Sequence, residues 1–325
     1  MRSLGVILPK LAYAVGMLLA VVVLNFLLLQ IAPGDIADTI IGEMGGATPE
    51  MEAEIRASYG LDRPLAEQLL VYVGNIAQGD LGYSYYFNRP VLEVILHRVP
   101  ATLLLVVAAL LFAILVGTFL GVVAARRPNG WFSHAVTVLA LVGYSAPVFW
   151  TGLMLLILFA SVLPIFPVSG MVSPIFDGGP LARAVEVAHH LVLPALTLGI
   201  IYLAQYSRLS RASMLDVLGA DYIRTARAKG LAERVVVYKH ALRNAILPVV
   251  TIAGLQFGQL FAGAVLVETV FNWPGMGLLA YDSILRRDTP TIMGVLFFSA
   301  LLVIVANMLT DLAYRLIDPR IRGRA

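Results

Sequence analysis

The sequence predicts an all-α membrane protein with six transmembrane helices and a small helical insertion outside the bilayer. Three observations predict it: a composition too apolar for water, six apolar stretches near span length, and an uneven split of Lys and Arg between alternate connections. Of 325 residues, 59% are hydrophobic and 13% charged, and the mean hydropathy is +0.86. A water-soluble domain carries roughly a quarter charged residues. A chain this poor in charge could not cover its own surface in water, whereas a bilayer accepts it as long as every backbone polar group is satisfied internally. The net charge of +3 makes no electrostatic case for nucleic acid. The absence of cysteine excludes disulfides, thiolate zinc sites and cysteine nucleophiles.

A membrane-crossing helix needs about 20 mostly apolar residues. The first such stretch is 11–31, preceded by Arg2 and Lys10. It is longer than the roughly 7–15-residue core of a secretory signal and lacks an Ala-x-Ala site, so it reads as a retained span. The second is 99–125, uncharged between Arg98 and Arg126. The third, about 132–163, exceeds one crossing and contains Tyr144-Ser145-Ala146-Pro147, so a kink is expected at Pro147. The fourth, 191–206, is short unless His189 and His190 extend it, and the fifth and sixth are 245–267 and 291–310. Pro194 and Pro248 interrupt or begin the fourth and fifth. Such prolines serve either bent packing or a pathway lining.

Lys and Arg set the orientation. One set of connections holds Arg2, Lys10, Arg126, Arg127, Arg208, Arg211, the cluster from Arg224 to Arg243, and the tail from Arg315 to Arg324. The other holds Arg56, Arg63, Arg89, Arg98, Arg183, Arg286 and Arg287. The positive-inside rule makes the first set cytoplasmic, with both termini on that side. Residues 33–98 then form an external helical layer. Thr48-Pro49-Glu50 reads as a helix start, Gly60 as its stop, Pro64 as a second start and Gly79 as a second stop. Segment 268–290 combines a turn-rich aromatic patch, Phe271-Asn272-Trp273-Pro274-Gly275-Met276-Gly277, with an amphipathic piece ending at Arg286. It is expected at the outer interface or in a vestibule.

The cytoplasmic stretch 208–244 carries the functional signal. Asp221 is a plausible N-cap, Arg224, Thr225, Ala226, Arg227 and Lys229 follow on a short helix, and Gly230 stops it. A return helix from about Ala232, through Glu233 and Arg234, leads to the fifth span. Two helices at a glycine corner make a knob that can dock into a soluble partner and carry rigid-body motion into the spans.

That segment resembles the coupling ("EAA") loop of binding-protein-dependent ABC importer permeases, in particular the dipeptide, oligopeptide and nickel branch. The resemblance covers nearly the whole chain. It is carried by Pro33-Gly34-Asp35, Gly60-Leu61-Asp62-Arg63-Pro64, Gly79-Asp80-Leu81-Gly82, Arg98-Val99-Pro100-Ala101-Thr102-Leu103 and Gly143-Tyr144-Ser145-Ala146-Pro147. Further along come residues 222–231, His240-Ala241-Leu242-Arg243-Asn244, Leu247-Pro248, Glu268-Thr269-Val270-Phe271, Trp273-Pro274-Gly275-Met276-Gly277 and Asp318-Pro319-Arg320. Arg224-Thr225-Ala226 stands where the general importer motif has Glu-Ala-Ala, and Ala232 stands where the branch often has a hydroxyl.

The resemblance implies a type I ABC importer permease fold in a bacterial inner membrane. Residues 1–97 would hold the first span and the periplasmic region, 98–314 the core, with its coupling loop at about 219–248, and 315–325 a cytoplasmic tail. It implies a second permease, one or two ATPase subunits that hold ATP and magnesium, and a periplasmic substrate-binding protein. No cofactor, metal or catalytic residue is assigned to this chain. Asp221, Arg224, Thr225, Ala226, Arg227, Lys229, Gly230, Glu233 and Arg234 would meet the ATPase. Tyr144, Ser145, Pro147, Gln256, Gln259, Phe271, Trp273 and Met276 would line the pathway or its periplasmic loop. The absence of a Gly-x-x-x-x-Gly-Lys-Ser/Thr loop agrees, since the energy must then come from another chain.

Bland readings stand beside these. Adjacent residues on a helix point about 100° apart, so His189 and His190 read as an interfacial pair and not as co-ligands. Gln205, Gln256, Gln259 and Asn307 read as interhelical hydrogen-bonding groups or a wet pathway. Asp311 pairs with Arg315 at i+4 in preference to serving a proton relay. An ion-coupled secondary transporter would need ionisable groups in mid-span, and a membrane hydrolase would need a nucleophile beside a base there. The sequence favours neither. Dipeptide, longer peptide, nickel chelate and other small solutes stay open as cargo.

Overall fold

A computed structural model describes residues 4–31, 36–43, 46–58 and 60–317. In chain order the helices are α1 (Leu4–Ile31), α2 (Ile36–Glu43), α3 (Pro49–Ser58) and α4 (Leu65–Ala77). A two-stranded antiparallel hairpin follows, β1 (Tyr83–Ser84) with β2 (Arg89–Pro90). Then come α5 (Val91–Arg126), α6 (Trp131–Ser145), α7 (Val148–Leu156, prolonged by a π turn Ile157–Val162) and α8 (Pro180–Leu218). The rest is α9 (Asp221–Ala228), α10 (Glu233–Val235), a π turn Val236–Ala241, α11 (Leu242–Ala245), α12 (Leu247–Val270), α13 (Met276–Arg286) and α14 (Thr289–Ile317). This hairpin of two-residue strands is a short interruption of a chain that is otherwise helical in its regular elements, as the all-α class expects. It closes through Asn88 in the left-handed region, whose carboxamide oxygen accepts the Tyr83 hydroxyl at 2.6 Å.

Among the described residues, α5, α8 and the 289–310 part of α14 are each long and apolar enough to cross a membrane. Two bent pairs could each serve as one span: α6 with α7 and its π turn, at 108°, and 233–245 with 247–253, at 42°. The apolar part of α1, Ala12–Leu28, is shorter. The kink expected at Pro147 is therefore a break. Ala146 is extended (φ −77, ψ 134), as a residue before proline prefers, and the two arms leave it steeply inclined. Pro194 has the opposite outcome, lying buried inside an uninterrupted 39-residue α8.

Contacts divide the chain into two units, residues 1–100 with 275–308 and 315–325, and residues 101–274 with 309–314. In the first unit the expected caps form. The Thr48 hydroxyl accepts Met51 N–H at 3.3 Å, Gly60 and Gly79 take left-handed backbone, and Pro64 precedes α4. Asp288 caps α14. Its carboxylate accepts the Thr291 hydroxyl at 2.7 Å and also takes the Ser84 hydroxyl. The Arg286 guanidinium lies 4.0 Å over the Tyr86 ring. In the second unit α6, α7 and α12 pack on α8. Gly117 and Gly121 of α5 meet the same helix at backbone distance: a Cβ at Gly117 would stand 2.8 Å from the Leu203 carbonyl oxygen, and one at Gly121 would overlap that of Ser207. Pro33-Gly34-Asp35 and the 318–325 tail lie outside the described residues, as do the Asp311 and Arg315 side chains.

Candidate functional site

The elbow predicted at 219–248 folds as a compact block. Ile223 and Ala226, three apart on α9, are buried against Val122 and Ala125 of α5, Met214 of α8, and Val236, Val237, Ala241 and Ala245 of the return segment. The opposite face stays exposed and presents Tyr222, Arg224, Thr225, Arg227 and Lys229. Asp221 is not the cap that its side chain suggested. Ala220 occupies that position without a side-chain bond, and the Asp221 carboxylate instead faces Arg224 at 3.5 Å as the first helical residue. Its carbonyl also accepts the Thr225 hydroxyl at 3.0 Å.

Gly230 reverses the chain at φ +76, where a Cβ would meet nothing within 4 Å. Its requirement is therefore backbone freedom, not space. Across this corner the Arg227 guanidinium donates to both Glu233 oxygens, at 3.2 and 2.8 Å. That pairing holds the Glu233 carboxyl below the usual carboxylate range and pushes the Arg227 guanidinium up. Asn244 donates to the Tyr222 hydroxyl at 2.8 Å and closes the far side. Ala232 caps the return helix without a side-chain bond, and Arg234 sits exposed beside it. Arg211 fixes the base of the block through Ser133 Oγ at 3.0 Å and the Pro128 carbonyl at 3.2 Å. The assembly is one packed block, with an apolar seat on two long helices and an exposed outer face that carries Arg224, Arg227 and Lys229.

The residues proposed for the pathway do not form one cluster. Gln256 donates to Gln205 at 2.9 Å, an interhelical bond between α12 and α8, while Gln259 is exposed. Tyr144 is 57% exposed with Arg208 5.2 Å over its ring, beside Ser145 and Pro147 at the break. Phe271 and Trp273 are core residues. The Trp273 indole N–H donates to the Ala101 carbonyl at 2.9 Å. Met276 is likewise buried, at the start of α13 in the other unit. Sequence reasoning missed Glu268 as an individual residue. Its carboxylate is fully buried and accepts the Thr102 hydroxyl at 2.6 Å, and its carbonyl accepts Trp273 N–H at 2.8 Å. The available signal was its standing as the sole charged residue of α12.

The two histidines do diverge. His189 Nε2 meets the Ile165 carbonyl at 3.0 Å, and His190 Nδ1 meets that of Gly170 at 3.1 Å. Both thereby hold the connection between the α7 π turn and α8. Glu186 takes His190 Nε2 at 3.1 Å and also the Ser173 hydroxyl. Acid and serine thus share one ring nitrogen, whereas a serine–base–acid relay needs them on opposite nitrogens. Among the described residues, no group of three metal-ligating side chains forms.

Two family profiles match the chain. One, described as "Binding-protein-dependent transport system inner membrane component", covers residues 117–323, and its N-terminal counterpart covers 4–106. A di/tripeptide transport system permease protein, DppB, of Pseudomonas aeruginosa is 43% identical over 99% of this chain and 97% of its own length. The dipeptide transport system permease protein DppB of Escherichia coli K12 is 43% identical over 100% and 98%. A putative peptide permease of Brucella suis is 46% identical over 97% and 98%. Among solved structures, the inward-facing MetNI methionine ABC transporter aligns with a TM-score of 0.54 at 18% identity, over 70% of this chain and 97% of that one. This last likeness concerns the fold.

Proposed function

The chain belongs to the binding-protein-dependent transport system inner membrane component family, and from that membership we propose that it is a permease subunit of an ATP-driven importer of di- and oligopeptides. A member of this family is a transport component of the inner membrane and not a catalytic subunit. The peptide cargo follows the full-length relatives' names. We extend the reading to six spans with both termini cytoplasmic, residues 33–98 on the periplasmic side, and a core of 98–314 before a 315–325 tail. A second permease would complete the pathway, ATPase subunits holding ATP and magnesium would drive it, and a periplasmic binding protein would deliver cargo.

The observation that carries the proposal is the seated elbow. Its apolar side is locked to α5 and α8, so a push on Arg224, Arg227 or Lys229 moves those helices and not a loose loop. An ATPase closing under this face would transmit its stroke to the pathway. Gly230→Pro tests the idea. Proline fixes φ near −65°, which the +76 corner forbids. In proteoliposomes holding the assembled complex, the variant should insert and bind its ATPase partner yet lose ATP-driven dipeptide uptake at least tenfold. Wild-type uptake by a stably assembled Gly230→Pro complex would overturn the coupling role. Uptake of a nickel chelate in place of peptide would redirect the cargo.

A further inference from the structure

Two motifs have no part in the elbow, Gly60-Leu61-Asp62-Arg63-Pro64 and Gly79-Asp80-Leu81-Gly82. Residues of both line one cavity of about 320 Å³ inside the first unit. Its apolar wall includes Phe26 of α1, Tyr72 of α4 and Met293 of α14. The Phe26 and Tyr72 rings stand 5.9 Å apart. Its polar edge includes Arg63, Asn75 and Asp80, all exposed. Left-handed glycines at 60 and 82 lie on that edge, at φ +65 and +86. Burial pushes the Tyr72 hydroxyl up to about 12, so it meets the cavity as a neutral group.

The cavity's depth is set by two apolar helices. Phe26 lies five residues before the end of α1 at Ile31, and Met293 four residues after the start of α14 at Thr289. At about 1.5 Å per residue both sit roughly 6–8 Å inside a helix end, where hydrocarbon gives way to headgroups and tyrosines gather. The wall suits a hydrocarbon chain, and one cation and one anion at the edge suit a zwitterion. A short peptide is also zwitterionic, but its backbone amides would lack partners against Phe26, Leu81 and Met293. We propose that this cavity is a binding site for a zwitterionic glycerophospholipid, with one acyl chain between α1, α4 and α14, its phosphate at Arg63 and its ammonium at Asp80. The inference rests on the reading of α1 and α14 as spans.

The test is lipid retention by the full-length chain in its assembled complex, extracted in mild detergent and followed by native mass spectrometry with added phosphatidylethanolamine. The wild type should retain a phosphatidylethanolamine that Met293→Trp, which fills the cavity, loses. Arg63→Gln leaves the cavity intact and should weaken retention about tenfold, the value of a charge-assisted contact. Excess inorganic phosphate or a dipeptide should not displace the lipid. Equal retention by wild type and Arg63→Gln overturns the proposal, as does displacement by phosphate or dipeptide. If Met293→Trp fails to assemble, Arg63→Gln decides. Retention needs neither ATP nor uptake, so loss of the importer reading and loss of the lipid site are separable results.

Discussion

The elbow and the α2–α4 segment are both built of short helices, yet they are held by different forces. In α9, Ile223 is fully buried and Ala226 nearly so, in a seat shared with α5 and α8. In α3 and α4, no described residue is buried. Besides the ring contact of Tyr72 with Phe26, that segment is tied by polar contacts: Arg56 to Asp38 at 3.0 Å and to Glu52 at 3.1 Å, and Gln30 to Gln68 at 3.2 Å. Burying one isoleucine side chain contributes about 1.5–3 kcal/mol, whereas an exposed ion pair contributes about 0–1. On the proposed coupling role, the difference separates a region fit to transmit force from one that is not. A lever needs an apolar seat that resists rotation, and a cover needs only to keep its place.

The largest effect should come from the seat. Ile223→Ala removes the deepest contact of α9 and should cost about 2–5 kcal/mol of elbow stability. The protein should still insert, because the apolar spans are untouched. Uptake should fall at least tenfold. The native chain has no cysteine, so a single reporter at Thr225 gives a clean measure of how tightly α9 is held. Its labelling rate should alter in Ile223→Ala. Unchanged labelling and uptake would remove the claim that burial makes the elbow a lever.

The α2–α4 segment supplies the counter-test. Arg56→Gln removes the contacts with Asp38 and Glu52, each about half exposed and screened by salt. Stability should change by about 1 kcal/mol or less, and uptake by less than about twofold. A thermal-shift and uptake comparison with Ile223→Ala would read both. Uncoupling by Arg56→Gln comparable to that of Ile223→Ala would show that polar ties on the α2–α4 segment matter as much as the apolar seat.

How much of this was legible depended on whether a residue's neighbours are local. Caps and stops such as Thr48, Gly60, Gly79 and Gly230 act on their own turn, so they could be read from the sequence and form as read. The two mid-stretch prolines could not be told apart. Pro147 breaks its stretch by 108° because both arms find a place on α8, and Pro194 continues a helix whose surroundings bury it. That choice is made by packing partners far away in sequence. The Gly117-x-x-x-Gly121 spacing was available as a close-packing signal, but its partner face on α8 was not. Phe271 and Trp273 read as a turn-rich aromatic patch at the outer interface or in a vestibule, because turn residues surround them. Their burial comes from contacts such as Trp273 with Ala101, 172 positions away. The elbow's corner was legible because Arg227, Gly230 and Glu233 lie within one short run, whereas the part of its seat on Val122 and Ala125 of α5 was not.

The smallest effect sharpens the comparison from the elbow's own surface. Glu233 bridges the glycine corner to Arg227 but is exposed, so it should behave like the pairs of the α2–α4 segment and not like Ile223. Its carboxyl is held below the ordinary value of 4.5, first by the hydrogen bond from Arg227. A depressed carboxylate contributes stability that is fully present above the unfolded value and lost as pH falls through the folded one. Arg227, pushed upward, stays charged throughout. The bridge should therefore be intact from neutral pH down to about 4.5 and weaken only below it. Glu233→Gln should remove that acid limb while leaving elbow labelling near wild type at neutral pH. Raising the salt concentration should mimic the substitution at neutral pH, because a surface pair is screened within about 3 Å at 1 M ionic strength and an apolar seat is not. A Glu233→Gln elbow as loose at pH 7 as the Ile223→Ala elbow would mean that the ion pair, not the buried face, holds the lever together.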